Sequence, residues 1–281
     1  MRKNYRFHLL APSQLSAHGN FARSKISGQL HRHYLHEAQR LRGRIYLQDG
    51  AIQACELRDD GRFPMHGDTQ SWHLLLIDEA RQVIGCARYL VHPGSVPFDR
   101  LRIGQSALAK DEFWGPQVRA AVESDLQETQ QQGFSYLELG GWALSEEWRG
   151  TRAALEILVG SYALSHLWGG CIGSCTATVR HGSSSMLRRI GGRGFKACDV
   201  ELPAYDDPQY GCKMELLRFD CRTPSPRFIP LIAQLKAELA DTVTITPGPA
   251  RDWLRLPQEL GSLALLRMVP GASPGLIGNS S

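Results

Sequence analysis

Residues 137–150 read LELGGWALSEEWRG. An apolar run arrives at one carboxylate, Glu138, then at Gly140 and Gly141, then at Trp142, Ala143 and Leu144. The stretch closes on Glu146, Glu147, Trp148, Arg149 and Gly150, directly before a pattern of helical period. A carboxylate at the end of a buried strand is costly unless something pairs or uses it. Two successive glycines beside it permit the strand end to distort. Arg149, Gly150 and the free N–H groups of the following helix start can hold an anion, because the helix N-terminus is its positive end.

Working outward, FSYLEL is the strand that delivers Glu138. Before it, a helix runs from Pro116 with Val118, Val122, Leu126 and Thr129 on its inner stripe, and Gly133 ends it. WHLLLID and RQVIGCARYLVH are two strands of a hairpin turning at Glu79 and Ala80, and Arg88 within the second points to one exposed face. The polar excursion between that hairpin and Pro116 reads as a loop with short turns. Residues 28–43 form an amphipathic helix carrying Leu30, Tyr34 and Leu41. Downstream, one helix spans Arg149 to Trp168 and Gly169-Gly170 stops it. CIGSCTATV is a strand of small residues, and SSSMLRRI is a short helix capped by Ser183 or Ser184. Phe195 opens another strand, and YGCKMELLRF supplies the last. RTPSPRFIP then reads as a linker, which sets the expected division at residues 1–222 and 223–281: a main domain with an N-terminal helical extension, then a short helix and a flexible end.

At 281 residues and 42% hydrophobic, the chain can bury a full core. The net charge is only +4, but the first fifty residues carry nine Lys and Arg against Glu37 and Asp49. Such a flank serves an acidic partner or simply a solvated helix face. Seven cysteines, most within apolar runs, read as reduced buried thiols in a cytoplasmic protein. Cys171 and Cys175 are four apart, and His31, His33 and His36 share no clean face, so no metal site is expected. No signal peptide and no membrane span is expected. The glycines of GGRGF precede a strand, the wrong context for a dinucleotide loop, and no phosphate-loop lysine motif occurs. The charge clusters lack the aromatic spacing of a nucleic-acid binder.

The order strand, Arg-Gly, long helix, strand, short helix and RRIGGRGF resembles the GNAT acyltransferases across roughly residues 70–220. Their phosphate-binding motif is matched by Arg149, Gly150, Thr151, Arg152, Ala153 and Ala154, with Arg152 in the place of the motif's central glycine. A narrower likeness, to acyl-homoserine lactone synthases and N-acyl amino acid synthases, rests on Arg42 with Tyr46, the acids Glu56, Asp59 and Asp60, Gly85 with Arg88, and Glu138. Two further departures stand out: Gly141 occupies an arginine's place, and Ile190 that of a tyrosine used as general acid in many GNAT enzymes.

The resemblance implies an α/β GNAT fold, with a mixed central sheet flanked by helices and splayed between two central strands. It implies an N-acyltransferase, moving an acyl group, of long chain by the narrower likeness, onto a small-molecule amine. The donor is a phosphopantetheine thioester, acyl carrier protein or acyl-CoA, and no tightly bound cofactor is implied. Glu138 becomes the proton acceptor. Trp142, Ala143, Leu144 and Arg149 through Ala154 become the donor-binding set, and Arg42, Asp59, Asp60 and Arg88 the acceptor set. An acetyl-CoA-dependent enzyme and a catalytically silent scaffold of the same fold are the alternatives. Each residue also has a plain structural use: Glu138 can pair with an arginine, Arg149 with Glu146 or Glu147, and Arg152 can be an exposed helix residue.

Overall fold

Leu74, Leu75 and Leu76 are all fully buried, although successive strand residues face opposite ways. The strand Trp72–Asp78 must therefore have a core on each side, which is why it reads as a continuous apolar run. The computed structural model, which describes residues 4–13 and 21–248, shows both cores. Leu74 and Leu76 enter one, Leu75 and Ile77 the other.

In chain order the elements are β1 (Tyr5–Leu10), β2 (Arg23–Ile26), α1 (Gly28–Gln48), β3 (Trp72–Asp78), β4 (Val83–Pro93), α2 (Trp114–Gln132) and β5 (Ser135–Leu144). There follow α3 (Arg152–Leu167), β6 (Cys171–Thr178), α4 (Ser183–Ile190), β7 (Arg193–Gly194), β8 (Lys196–Ala197), β9 (Val200–Glu201) and β10 (Tyr205–Asp207). The last are β11 (Cys212–Asp220), α5 (Ile229–Ala240) and β12 (Val243–Thr246). One sheet runs β10-β11-β6-β5-β4-β3-β1-β12-β2, with β7 beside β11, while β8 and β9 pair separately. The pairs β5–β6, β1–β12 and β12–β2 are parallel and the rest antiparallel, so the sheet is mixed as expected.

Strand alternation sorts the layers. Tyr136 and Met214 pack with Val118, Val122 and Leu126 of α2, while Leu75 and Cys86 pack with Tyr34 and Leu41 of α1. Leu137, Cys175 and Leu217 face the opposite way, onto α3, α4 and α5. Ser27 caps α1 through a hydrogen bond from the Leu30 N–H, and Thr151 caps α3 through Ala153. Gly133 ends α2 in the left-handed conformation.

Several expectations are corrected. Helix α3 begins at Arg152, because Thr151 is its extended cap residue and Gly150 stands at φ +73. No serine side chain caps α4: Ser183 is already helical, and Gly182 precedes it at φ +72. Arg88 is buried rather than on an exposed strand face. The division at residue 222 does not separate the described structure. Phe228, Ile232, Leu235 and Leu239 enter the main core, and β12 lies in the sheet between β1 and β2. The unit runs to Gly248, and the flexible end expected beyond it lies outside the described residues. Strand β1 was also unforeseen: Phe7 and Leu9 face one core and Leu10 the other. Among the described residues, no helix is long and apolar enough to cross a membrane.

Candidate functional site

Parallel pairing between β5 and β6 starts at Ser135↔Cys171 and stops at Glu138↔Ser174. Beyond that register the strands part, leaving 139–144 of β5 without β6 as a partner. On its other side β5 carries a bulge, since Cys86 faces Ala143 but Arg88 faces Gly140. Two residues of β5 thus stand against one of β4, which adds twist where the strands part. Gly141 makes this possible. It adopts φ +63, and a side chain there would start 2.9 Å from Arg88 Cβ and 3.0 Å from Arg42 Nη1.

A cleft of about 230 Å³ occupies the opening. Alternation along β5 and β6 gives it two unlike ends. Glu138, Arg88, Tyr46 and Ile103 line it on the α1 and α2 face. Leu139, Leu158, Cys175, Ala177 and Leu187 line it on the α3 and α4 face. The gap between the strands joins a side that carries Glu138 and Arg88 to a largely apolar side.

Glu138 sits at that junction with its side chain 11% exposed. His92 Nε2 donates to its Oε2 at 2.9 Å, and the Arg102 N–H donates to its Oε1. The pairing is therefore with an imidazole and a backbone amide, not an arginine side chain. Both oxygens are fixed, and the carboxylate presents its remaining lone pairs as an oriented acceptor. Arg102 also reaches the Tyr210 hydroxyl at 3.0 Å, and Arg180 bridges the carbonyls of Gly50 at 3.0 Å and Tyr210 at 3.4 Å. Arg102, Arg180 and Tyr210 all line the cleft.

Behind Arg88 lies a buried network centred on Asp68. Arg42 forks onto it, with Nη1 at 3.0 Å from Oδ1 and Nη2 at 2.5 Å from Oδ2. Gln39 donates to Oδ2 at 2.9 Å and the Met65 N–H at 3.0 Å, while His73 donates to the Asp68 carbonyl at 2.8 Å. Burial alone would raise the Asp68 carboxyl, but Arg42 and His73 hold it down at about 2. Burial pushes the His73 imidazole down to about 4. Burial likewise lowers the Arg88 guanidinium, against the pull of Asp68, and its Nε donates to Ser71 Oγ at 2.8 Å. Cys86, buried beside this network, has its thiol pushed up to about 11.

The sequence candidates divide. Glu138, Arg88 and Trp142 line the cleft. Ala143 and Leu144 pair with Cys86 and Gly85 at its back, and the Leu144 side chain covers Gly85 so closely that a Cβ there would stand 2.9 Å from its Cδ1. Arg42 lies one layer behind, tied to Asp68. Asp59 and Asp60 are on an exposed turn where Asp60 pairs with Arg40 and Arg62, and neither lines the cleft. Arg149, Gly150, Thr151, Arg152, Ala153 and Ala154 form the adjoining helix start rather than the cleft wall. Arg149 pairs with Asp49, which does line the cleft, and not with Glu146 or Glu147. His92, Arg102, Arg180 and Tyr210 escaped the sequence reading, because their roles arise from contacts across 30 to 130 residues. Among the described residues, no group of three or more His, Cys, Asp or Glu side chains is placed to hold a metal ion.

No protein-family model matches the chain, and no curated protein matches it. Solved structures do. Two of a CoA-dependent acyl-homoserine lactone synthase, BjaI, one with SAM and isopentyl-CoA and one with MTA, superpose with TM-scores of 0.53 and 0.51. Each is 15% identical, and the match covers 89% of this chain and 99% of that one. The resemblance read from the residues therefore holds at the level of fold: the chain shares the fold of these structures, with its sheet splayed between β5 and β6.

Proposed function

We propose that this chain, with its GNAT fold, transfers an acyl group from a phosphopantetheine thioester to the amine of a small molecule. The observation that carries the reading is the parting of β5 from β6 immediately after Glu138. An extended pantetheine arm can lie in that gap, using the backbone groups that β6 leaves to it, as an added strand does. The apolar end, with Cys175, Ala177 and Leu187, takes the acyl chain, and the polar end takes the amine.

Attack by a neutral amine forms the N–C bond, then the C–S bond breaks and the thiolate leaves. Glu138, oriented by His92 and the Arg102 N–H, accepts the amine proton directly or through a water. The backbone at 142–144, at and just past the bulge, supplies N–H donors for the developing oxyanion. Ile190 offers no proton at the place of a GNAT general acid; a thiolate departs without one. Arg88 faces the acceptor, and Arg42 positions it through Asp68. Arg149 and the N–H groups at the start of α3 hold the arm's phosphate. Asp59 and Asp60 lie outside the cleft and receive no part.

The test is to incubate the full chain with long-chain acyl carrier protein or acyl-CoA and a panel of amines, reading thiol release and product mass. The expected result is acceptor-dependent N-acyl product, with Glu138→Gln slowing turnover about a hundredfold or more while thioester binding persists. Product formation indifferent to Glu138→Gln overturns the assignment of the base. Product from short acyl-CoA alone means an acetyltransferase, and no thioester binding means a silent fold.

A further inference from the structure

Pairing of β5 with β6 ends at Glu138↔Ser174, so these two residues flank the point where the gap opens. Residues level with each other on neighbouring strands carry their side chains to the same face. Ser174 therefore shares the face of Glu138, and it is buried yet lines the cleft. Tyr136, two residues before Glu138 on that same face of β5, is fully buried. Its phenol hydroxyl makes no hydrogen bond, a costly state for a buried polar group. A phenylalanine would fill the same space without that cost.

Four side chains act on that phenol: Ser174, Asp125, Glu138 and Arg218. Three of them are already engaged. Arg218 Nε lies 2.8 Å and 3.0 Å from the two Asp125 oxygens, and both Glu138 oxygens are held by His92 and the Arg102 N–H. Ser174 is left to answer the phenol. Burial pushes the phenol far above its usual range, so Tyr136 keeps its proton and stays a donor. A serine hydroxyl carries one proton and two lone pairs. If one lone pair takes the Tyr136 proton, the serine's own proton is free for the cleft, and each bond of the chain strengthens the other.

We infer that Ser174 is a further catalytic residue: its hydroxyl donates to the carbonyl oxygen of the bound thioester, and Tyr136 is the positioning residue that donates to Ser174 Oγ. This inference rests on the thioester reading above. In that reading the arm runs out along the open part of the gap and the acyl chain leaves by the apolar side. The three substituents of the planar thioester carbon spread evenly, so its oxygen turns to the closed end of the gap, on the face of Glu138 and Ser174. Ser174 then reaches that oxygen from β6, opposite the backbone donors of β5. No proton changes hands: the hydroxyl stabilises the negative charge that builds on oxygen as the amine attacks.

The experiment binds octanoyl thioesters of coenzyme A and of acyl carrier protein, isotope-labelled at the carbonyl carbon, to the full-length protein. Difference infrared spectra of the labelled carbonyl are compared for the wild type, Ser174→Ala, Ser174→Thr, Tyr136→Phe and the double variant Tyr136→Phe with Ser174→Ala. No amine is needed for this readout. The stretch should lie at lower frequency in the wild type than in Ser174→Ala, and Ser174→Thr, which keeps the hydroxyl, should restore it. With the amine panel, Ser174→Ala should lower kcat about tenfold to a hundredfold with KM little changed. Tyr136→Phe should lower kcat about threefold to tenfold alone and should add nothing in the Ser174→Ala background. Its urea midpoint should not fall, because the hydroxyl it removes is unpaired; a merely structural hydroxyl would show the reverse, lower stability and unaltered kcat. A bound carbonyl whose stretch is the same in wild type and Ser174→Ala overturns the inference and leaves the transferase reading standing. Additive losses from the two substitutions overturn the part given to Tyr136. If neither thioester binds the wild type, the thioester reading itself fails and this inference with it.

Discussion

Replacing Gly141 with alanine should cost far more stability than the same change one residue earlier. Gly141 stands at φ +63, and an L-residue there costs about 1–2 kcal/mol. The new methyl would lie 2.9 Å from Arg88 Cβ and 3.0 Å from Arg42 Nη1. Arg88 Cβ cannot retreat without moving β4. Arg42 Nη1 cannot retreat without loosening its 3.0 Å hydrogen bond to buried Asp68. Overpacking of this kind costs about 1–3 kcal/mol. The sum is about 2–5 kcal/mol, a large part of the roughly 5–15 kcal/mol that holds a domain together. Gly140 is the control: its φ is not left-handed, nothing lies within 4 Å of a side chain placed there, and alanine should change stability by less than about 1 kcal/mol. Urea unfolding followed by tryptophan fluorescence and circular dichroism, with linear extrapolation, measures both. A Gly141→Ala loss below about 1 kcal/mol, or one equal to that of Gly140→Ala, would refute the claim that the bulge and Arg42 demand glycine.

Two further predictions concern the frame around the cleft. The Asp68 carboxyl stands at about 2 in the fold against 3.8 when free, so its stabilisation is fully present above about pH 4 and is lost as pH falls through about 2. It amounts to about 2 kcal/mol, so the urea midpoint should fall between pH 5 and pH 2, and Asp68→Asn should flatten that fall. Asp68→Ala should cost about 3–5 kcal/mol at neutral pH, since Arg42 is left buried with its charge uncompensated. A chain ending at Arg222 should fail to fold, by circular dichroism and by protease resistance, where the full chain succeeds. It loses buried Phe228, Ile232, Leu235, Leu239 and Ile245, and at about 1.5–3 kcal/mol for each such side chain that rivals the stability of the whole domain.

Periodicity made much of the fold legible. Val118, Val122, Leu126 and Thr129 marked the inner stripe of α2 because one helix face must be apolar to pack, and all four are buried there. WHLLLID and the strand after it were legible for the same reason. The edge of the sheet was not. Strand β2 has no buried residue, and β12 has four residues, so neither carries an amphipathic signal of useful length. Their place depends on parallel pairing of β12 with β1 and with β2, across more than two hundred residues. No local pattern encodes such a pairing.

At the site, the run from Leu137 to Gly150 by itself determined that a carboxylate, a glycine-bearing bend and a cationic helix start follow one another. That succession is a matter of neighbouring residues. The tertiary structure alone decided which groups answer those charges. Asp68 rather than Asp59 or Asp60 receives Arg42, His92 and a loop amide hold Glu138, and Asp49 takes Arg149. The reason is physical: a charge pairs with whatever counter-charge the packed backbone brings within a few ångströms, and that distance is a property of the fold.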